Sequence, residues 1–333
     1  MKIAIAQTII VEEIQSWIDY CKSNHIDYIL VNPYDSDVVE KCIDCDVFMW
    51  HHSQDNYIDL LFAKQLLFAM QQAGKVVFPD FYSGWHFDDK LGQKYLMEAV
   101  GVPLIKSYAF YNKQDALEWA KKTEFPKVFK LRCGAASTNV KLVRSYDDCK
   151  KYINKAFGKG FPHYDGINVL KESLKQCDAV KIFKSLYRLF IKPKNSSFIK
   201  DEKGYVYFQD FMPGNTYDTR VVVIGGKYAC AERRINRKGD FRASGSGQFS
   251  FDGVDEKIIA EAFKSAKKLK MQSVAFDFVY DDKQAPRIVE ICFGFGVSGI
   301  KQSKGYYTDD MIWHECKEVP FFEWIIKAAL NKL

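Results

Sequence analysis

The residues best suited to chemistry lie between Val274 and Gly299. The run VAFDFVYDDKQAPRIVEICFGFGVSG reads as a β-hairpin: an apolar strand from Val274 to Tyr280 holding one acid, a polar turn from Asp281 to Gln284, and an apolar return from Arg287 to Phe293. A turn centred between Lys283 and Gln284 sets Asp277 opposite Glu290. Alternation places Asp277 on a face with Ala275 and Val279, and Glu290 on one with Ile288 and Cys292. Two carboxylates facing each other across a ladder repel. A cation between them removes the repulsion, and hard oxygen ligands suit Mg²⁺ held together with phosphates. The competing reading is a register slipped by one residue, with one carboxylate in solvent.

Upstream residues add to this pair. In FPKVFKLRCGAASTNVKLV, a strand carries Lys130 near its end, Cys133 to Asn139 form a small-residue loop, and Val140 to Val143 return. Such a loop lets backbone N–H groups approach phosphate oxygens, and Lys130 adds a positive charge beside it. The G-x-x-x-x-G-K-[ST] pattern is absent, so this is not a P-loop. Arg233-Arg234 end a strand that follows the Gly225-Gly226 turn. An arginine pair is commonly structural; beside two carboxylates it could neutralise a transferred phosphoryl group. His51 and His52 follow an apolar strand, where open α/β sheets place ligands, and substrate binding stands there against ordinary loop polarity. No Ser/His/Asp arrangement is evident.

These residues need elements to hold them. From Met1 to Phe87, apolar strands near Ile3, Tyr28, Val47 and Val76 alternate with helical segments at 11–23 and 38–43 and with one capped by Asp55 and ending at Gly74. That alternation predicts a small doubly wound parallel sheet. Without G-x-G-x-x-G after its first strand, dinucleotide binding is not supported. From Asp88 to Lys200 the pattern predicts a helix capped by Asp88 and ending near Gly101, a helix at 114–122, the lysine-bearing hairpin, and a basic helical stretch at 167–192. The remainder predicts strands at 205–211, 220–224 and 227–234, a helix at 256–269, the carboxylate hairpin, and a terminal helix at 321–330.

Composition bounds the answer. The chain has 333 residues, 47% hydrophobic and 27% charged, an ordinary globular balance that argues against disorder. A net charge of +6 suits an anionic substrate without demanding nucleic acid, for which no motif is present. Nine cysteines form no disulfide framework, and the Cys42/Cys45 pair has no second pair to complete a metal site. No signal or membrane-spanning run is visible, so the expected compartment is cytoplasmic.

In their order the segments resemble the ATP-grasp superfamily of carboxylate–amine ligases, over the whole chain. DDK at Asp88 to Lys90 looks like the first lysine motif, and PKVFKLRCGAAS like the second lysine with the phosphate loop. FQDFMPG is similar to the adenine-holding segment, DTRVVVIGGKYACAERRINRKGDFR to the D-x-R, hairpin and GDFR run, and the carboxylate hairpin to the metal-binding E-x-N segment. The resemblance implies an α/β fold with α+β lobes: a pre-ATP-grasp doubly wound parallel-sheet domain at 1–87, an N-lobe at 88–200 and a C-lobe at 201–333. It implies ATP and Mg²⁺ as cofactors. Lys90, Lys130, Gly134 and Ser137 would meet the phosphates; Asp210, Phe211 and Met212 would line the adenine site. Arg234 would hold the γ-phosphate, Asp218 and Arg220 would orient substrate or metal, and Asp277, Glu290 and Cys292 would face Mg²⁺.

Two positions depart from the pattern. Cys292 replaces the usual asparagine, and a neutral thiol is a poor ligand for Mg²⁺. Ser244 stands where the ribosomal-protein glutamate ligase branch has asparagine. EICFGFG followed by GYYTDDMIWHE is similar to a branch associated with surface-polysaccharide synthesis. The implied reaction activates a carboxylate, on a small molecule or glycan such as a sugar acid, as an acyl-phosphate and joins it to an amine. A phosphotransferase and a nucleotide binder without turnover are the alternatives, and a homodimer is left open.

Overall fold

The computed structural model describes residues 1–7, 11–134, 139–162 and 200–333 and, between 163 and 199, only residues 166, 170, 174, 182–184, 186 and 187. The predicted helix at 167–192 and the centre of the small-residue loop, 135–138, therefore lie largely or wholly outside the described residues.

The first layer alternates as the apolar pattern predicts: β1 (Lys2–Ala6), α1 (Val11–Ser23), β2 (Asp27–Val31), α2 (Val38–Lys41), β3 (Val47–Met49), α3 (Tyr57–Gln72), β4 (Val76–Phe78) and α4 (Phe81–Gly84). The strands pair in parallel in the order β2-β1-β3-β4. A parallel sheet is buried on both faces. Ile3 and Ile5 enter a core with Trp17, while Ala4 and Ala6 enter another with Phe48, Trp50 and Leu67. The cap of α3 is Asn56, which accepts from the Ile58 N–H; Asp55 lies one residue too early.

The second layer comprises α5 (Lys90–Val100), β5 (Ser107–Phe110), α6 (Lys113–Lys122), β6 (Lys127–Lys130), β7 (Val140–Val143), α7 (Tyr146–Ala156) and β8 (Val206–Asp210). Its antiparallel sheet runs β5-β8-β6-β7. Phe129 and Phe208 of this sheet pack on Ala116, Ala120 and Ile153 of α6 and α7. β8 falls within the expected third unit, 201–333, yet it hydrogen-bonds into this middle sheet. Asp89, not Asp88, caps α5, accepting from the Leu91 and Gly92 N–H groups, and the helix stops where Gly101 takes φ +71.

The third layer holds β9 (Tyr217–Ile224), β10 (Tyr228–Ile235), β11 (Phe249–Ser250), α8 (Glu256–Leu269), β12 (Ser273–Tyr280), β13 (Pro286–Cys292), β14 (Gly305–Thr308), β15 (Trp313–Glu315) and α9 (Phe321–Ala329). The order is β13-β12-β9-β10-β14-β15, with β11 added to β10. Strand parity divides this sheet. Val221, Val223, Ala231, Phe276 and Phe278 meet α8, whose Ile258, Ile259, Ala262, Phe263 and Leu269 recur at helical spacing. Each such apolar side chain, once fully buried, contributes ~1.5–3 kcal/mol. On the opposite face, Val222, Ile224, Cys230 and Ala275 join the core of the first layer through α9. Trp17 Nε1 donates to the Phe322 carbonyl at 3.0 Å, and Gln272 Nε2 to the Val77 carbonyl at 3.0 Å, fixing the first layer to the third.

Candidate active site

The apolar half of that second face ends where the charges begin. Continuing along the same strands with the same parity, the side chains become Asp218 and Arg220 on β9, Glu232 and Arg234 on β10, and Asp277 on β12. The register aligns Glu232 with Arg220, Arg220 with Asp277, and Asp277 with Glu290 of β13. One row of alternating and then like charges thus crosses four strands. The expected opposition of Asp277 and Glu290 is present. The turn itself is centred on Lys283, not between Lys283 and Gln284, and a bulge between Asp277 and Phe278 brings Asp277 opposite Glu290; it also turns Ile288 to the α8 core with Ile291 instead of sharing the face of Glu290.

Arginine and lysine neutralise the two carboxylates. Arg220 donates to Asp277 through Nε at 2.8 Å and Nη2 at 3.1 Å. Arg234 donates to Asp218 at 2.6 and 2.7 Å, and its Nη2 also lies 2.7 Å from Asp277 Oδ2. Burial alone would raise the Asp277 carboxyl; the two arginines outweigh it and hold it well below the usual range. Asp218 is raised by burial against the pull of Arg234. Lys90 Nζ lies 3.0 Å from Glu290 Oε1. Burial would lower Lys90, but the Glu290 and Asp88 carboxylates hold its ammonium above the usual range.

The base of the small-residue loop is tied to the same lysine. Gly134 donates from N to Asp88 Oδ1 at 2.8 Å, and its carbonyl accepts from Lys90 Nζ at 3.0 Å. Gly134 has φ +116, a conformation that glycine alone adopts without strain. Asp88 sits at φ +51, and burial pushes its carboxyl up to about 6. Lys130 is 5% exposed at the end of β6; burial pushes its ammonium down to about 8.

These groups surround a cavity of about 310 Å³, a volume suited to a small-molecule ligand. Ile105, Phe211, Met212 and Ile291 supply apolar walls, and Lys90, Lys130, Arg220 and Arg234 supply positive charge. Asp210 lines the cavity while paired to Lys127 at 2.6 Å. Ser244 lines it as well, its carbonyl accepting from Arg237 Nε at 2.9 Å. Lys90, Lys130, Gly134, Asp210, Phe211, Met212, Asp218, Arg220, Arg234, Asp277, Glu290 and Cys292 all line this one space. Ser137 lies outside the described residues.

The donor set suits a hard divalent ion through its carboxylates. Three side-chain cations converge on Asp277 and Glu290, so an ion would enter by displacing them. Cys292 faces the same cavity; in the metal-free protein burial pushes its thiol up to about 12, and a neutral thiol is a poor ligand for Mg²⁺.

His51 and His52 are buried and face the interior, contrary to loop polarity. His51 Nδ1 is 2.6 Å from Glu13 Oε2, without hydrogen-bond alignment, and His52 sits between Phe87 and Phe293. His51 stands behind Gly294, a cavity residue where any Cβ would come within 3.1 Å of His51 Nε2. Sequence reasoning missed Glu232, Lys127 and Glu13. Glu232 was within reach, since it lies two residues before Arg234 and so shares its face; Lys127 and Glu13 carry no such local signal.

No family model and no curated protein matches the chain. Solved structures do. The crystal structure of the D-cycloserine synthetase DcsG superposes with a TM-score of 0.58 at 12% identity, covering 100% of both chains. A RimK domain ATP-grasp protein from Sphaerobacter thermophilus DSM 20745 gives 0.57 at 13% identity, covering 90% of this chain and 94% of its own. The ATP-grasp ligase PsnB, solved with a minimal precursor, Mg and ADP, gives 0.55 at 13% identity and 98% of each chain. With its parallel first sheet and the two antiparallel sheets that follow, the chain has the ATP-grasp fold.

Proposed function

We propose that the chain is an ATP-dependent carboxylate–amine ligase. The observation that carries this reading is the convergence of two lysines, two arginines and two opposed carboxylates on one cavity with apolar walls at one end. That set has the charge to bind a nucleoside triphosphate. The reaction needs no side-chain nucleophile. A substrate carboxylate oxygen attacks the γ-phosphorus and ADP leaves; the amine nitrogen then attacks the acyl carbon, phosphate leaves and the nitrogen loses a proton. Lys90 and Lys130 hold phosphate oxygens, Gly134 and Ser137 belong to the loop that covers them, and Arg234 with Arg220 stabilises the charge on the transferred group. Asp210, Phe211 and Met212 receive the base, and Asp218 orients Arg234. Asp277 and Glu290, with Cys292 beside them, would hold Mg²⁺, which supplies charge neutralisation across the phosphates. The ligase PsnB, solved with Mg and ADP, supports that cofactor pair.

The working division is 1–87, 88–200 and 201–333. The working substrate is a sugar-acid carboxylate on a small molecule or surface glycan, handled in the cytoplasm with an amine donor. No helix among the described residues is long and apolar enough to cross a membrane. Release of ADP and phosphate is the test, with a panel of sugar acids and amino acids, each with and without an amine. Turnover that needs both acid and amine supports the ligase. ADP with acid alone, giving a stable phosphorylated product, replaces it with a phosphotransferase. Cysteine at 292, where the resemblance has asparagine, favours a second reading, a nucleotide binder, for which ATP binds and no ADP forms.

A further inference from the structure

Arg220 and Arg234 differ in what remains to them if Asp277 is engaged elsewhere. Arg234 keeps Asp218, to which it donates twice. Arg220 has Asp277 as its hydrogen-bonded partner and no other among the described residues. A largely buried guanidinium without a counter-charge is strongly unfavourable.

On the far side of Arg220, in the same row and on the same face, stands Glu232. It is 2% exposed, and its Oε2 has no hydrogen-bond partner among the described residues. The backbone at Gly299 crosses directly over it, so closely that a Cβ there would overlap Oε2, with Phe249 alongside. Burial pushes its carboxyl up to about 7, against the pull of Arg220 and Arg234. A buried carboxylate without a donor is costly, and packing does not require one at this position. Cross-strand neighbours stand about 5 Å apart at Cβ, well within the sweep of an arginine side chain.

We infer that Glu232 is a second seat for Arg220, occupied when a divalent cation takes Asp277, and is therefore a positioning residue for the metal site. The inference rests on Asp277 acting as a metal ligand. The exchange keeps charge paired throughout: the cation replaces one guanidinium at Asp277, and that guanidinium moves to the carboxylate that lacked a donor. Arg234 stays with Asp218, so the two arginines divide into a fixed and a movable one.

Mn²⁺ binding tests this, measured by the paramagnetic resonance of the free ion with a non-hydrolysable ATP analogue present. Glu232→Gln keeps the shape and removes the charge. It weakens Mn²⁺ binding by about tenfold, the range seen when a group that supports a metal ligand is lost. Affinity for the analogue without metal stays unchanged, and the metal-free protein is no less stable, because a buried charge has been removed. In an Arg220→Met background the same change has no further effect, since Arg220 is the route by which Glu232 acts. Glu232→Asp, which keeps the charge, recovers part of the lost affinity. Wild-type Mn²⁺ affinity in Glu232→Gln, or a loss that persists after Arg220→Met, overturns the second seat alone. Absence of Mn²⁺ binding in the unaltered protein overturns the metal reading of Asp277, and this inference with it.

Discussion

Lys90 and Glu290 join the two lobes across the cavity, Nζ to Oε1 at 3.0 Å, while the same ammonium donates to the Gly134 carbonyl as a second partner at 3.0 Å. The lysine therefore links the base of the phosphate loop to the carboxylate hairpin. It also stands where a phosphate oxygen would compete with both partners. Lys90→Met is expected to weaken binding of a metal–nucleotide complex by about 100-fold, the scale of losing one preorganised charged donor. Fluorescence titration with a labelled ATP analogue measures it. Unchanged affinity removes Lys90 from the phosphate site.

On the proposed reading, Lys130 is expected to make nucleotide binding sensitive to alkaline pH. Its ammonium is pushed down to about 8 from an ordinary 10.5 by burial. Below about 8 it is charged and attracts phosphate; above that it is neutral, so affinity falls as pH rises through the window. Stability runs the other way. Between about 8 and 10.5 the unfolded chain binds the extra proton, so stability rises with pH there. Titrating ATP affinity from pH 7.5 to 9.5 checks the first part, and Lys130→Met is expected to flatten the profile. A flat profile in the unaltered protein would mean that Lys130 does not meet the nucleotide.

Asp277 should be the most costly carboxylate to remove. It accepts from Arg220 and Arg234 together; alanine leaves Arg234 with Asp218 and Arg220 with Glu232 as its remaining counter-charge. The expected loss is about 3 kcal/mol for the metal-free protein, the low end for breaking a buried pair because both guanidinium groups keep a carboxylate, read from urea unfolding. Asp277→Asn keeps acceptor capacity and should lose less. The wild-type contribution survives acidification past about pH 4, where ordinary carboxylates take up protons, because the arginines hold this one ionised to lower pH. An alanine variant within 1 kcal/mol of wild type, an ordinary surface-scale change of about that size or less, would show that the pairs contribute little.

Much of this was legible in the residue pattern, for a physical reason. Apolar periodicity delimits α1 and α8 and the short parallel strands, because burial on a helix stripe or both sheet faces forces it. The opposition of Asp277 and Glu290 is expected from a turn centred between Lys283 and Gln284; the turn is instead centred on Lys283, and the bulge after Asp277 restores the opposition. Caps were misplaced by one residue at Asp88 and Asp55, where adjacent polar residues compete for the same helix start and only backbone geometry decides. The pattern marks β8 as a strand but not its sheet; its pairing with β5 and β6 is a long-range contact with no local signal. The bulge that turns Ile288 inward has no sequence signature, and the ion pairs Arg220–Asp277 and Lys90–Glu290 are tertiary facts.

Cys292 offers the sharpest test of the metal site. It follows Glu290 by two residues on β13 and faces the same cavity, and in the metal-free protein burial pushes its thiol up to about 12. A neutral thiol is a poor ligand for Mg²⁺, so on the proposed reading phosphate oxygens and water would complete the coordination beside Asp277 and Glu290. Asparagine at this position presents a hard carbonyl oxygen. Cys292→Asn is expected to tighten Mg²⁺ binding by at least about tenfold with a non-hydrolysable ATP analogue, whereas Cys292→Ala leaves it unchanged, because nothing bound to the thiol is lost. Competition of Mg²⁺ against bound Mn²⁺ reads both variants on one scale. If Cys292→Asn has no effect, position 292 lies outside the coordination sphere and the two carboxylates carry the ion without it. If Cys292→Ala instead weakens binding, the thiol is a ligand after all, and the site should then prefer a softer cation over Mg²⁺, which the same competition with Zn²⁺ would reveal.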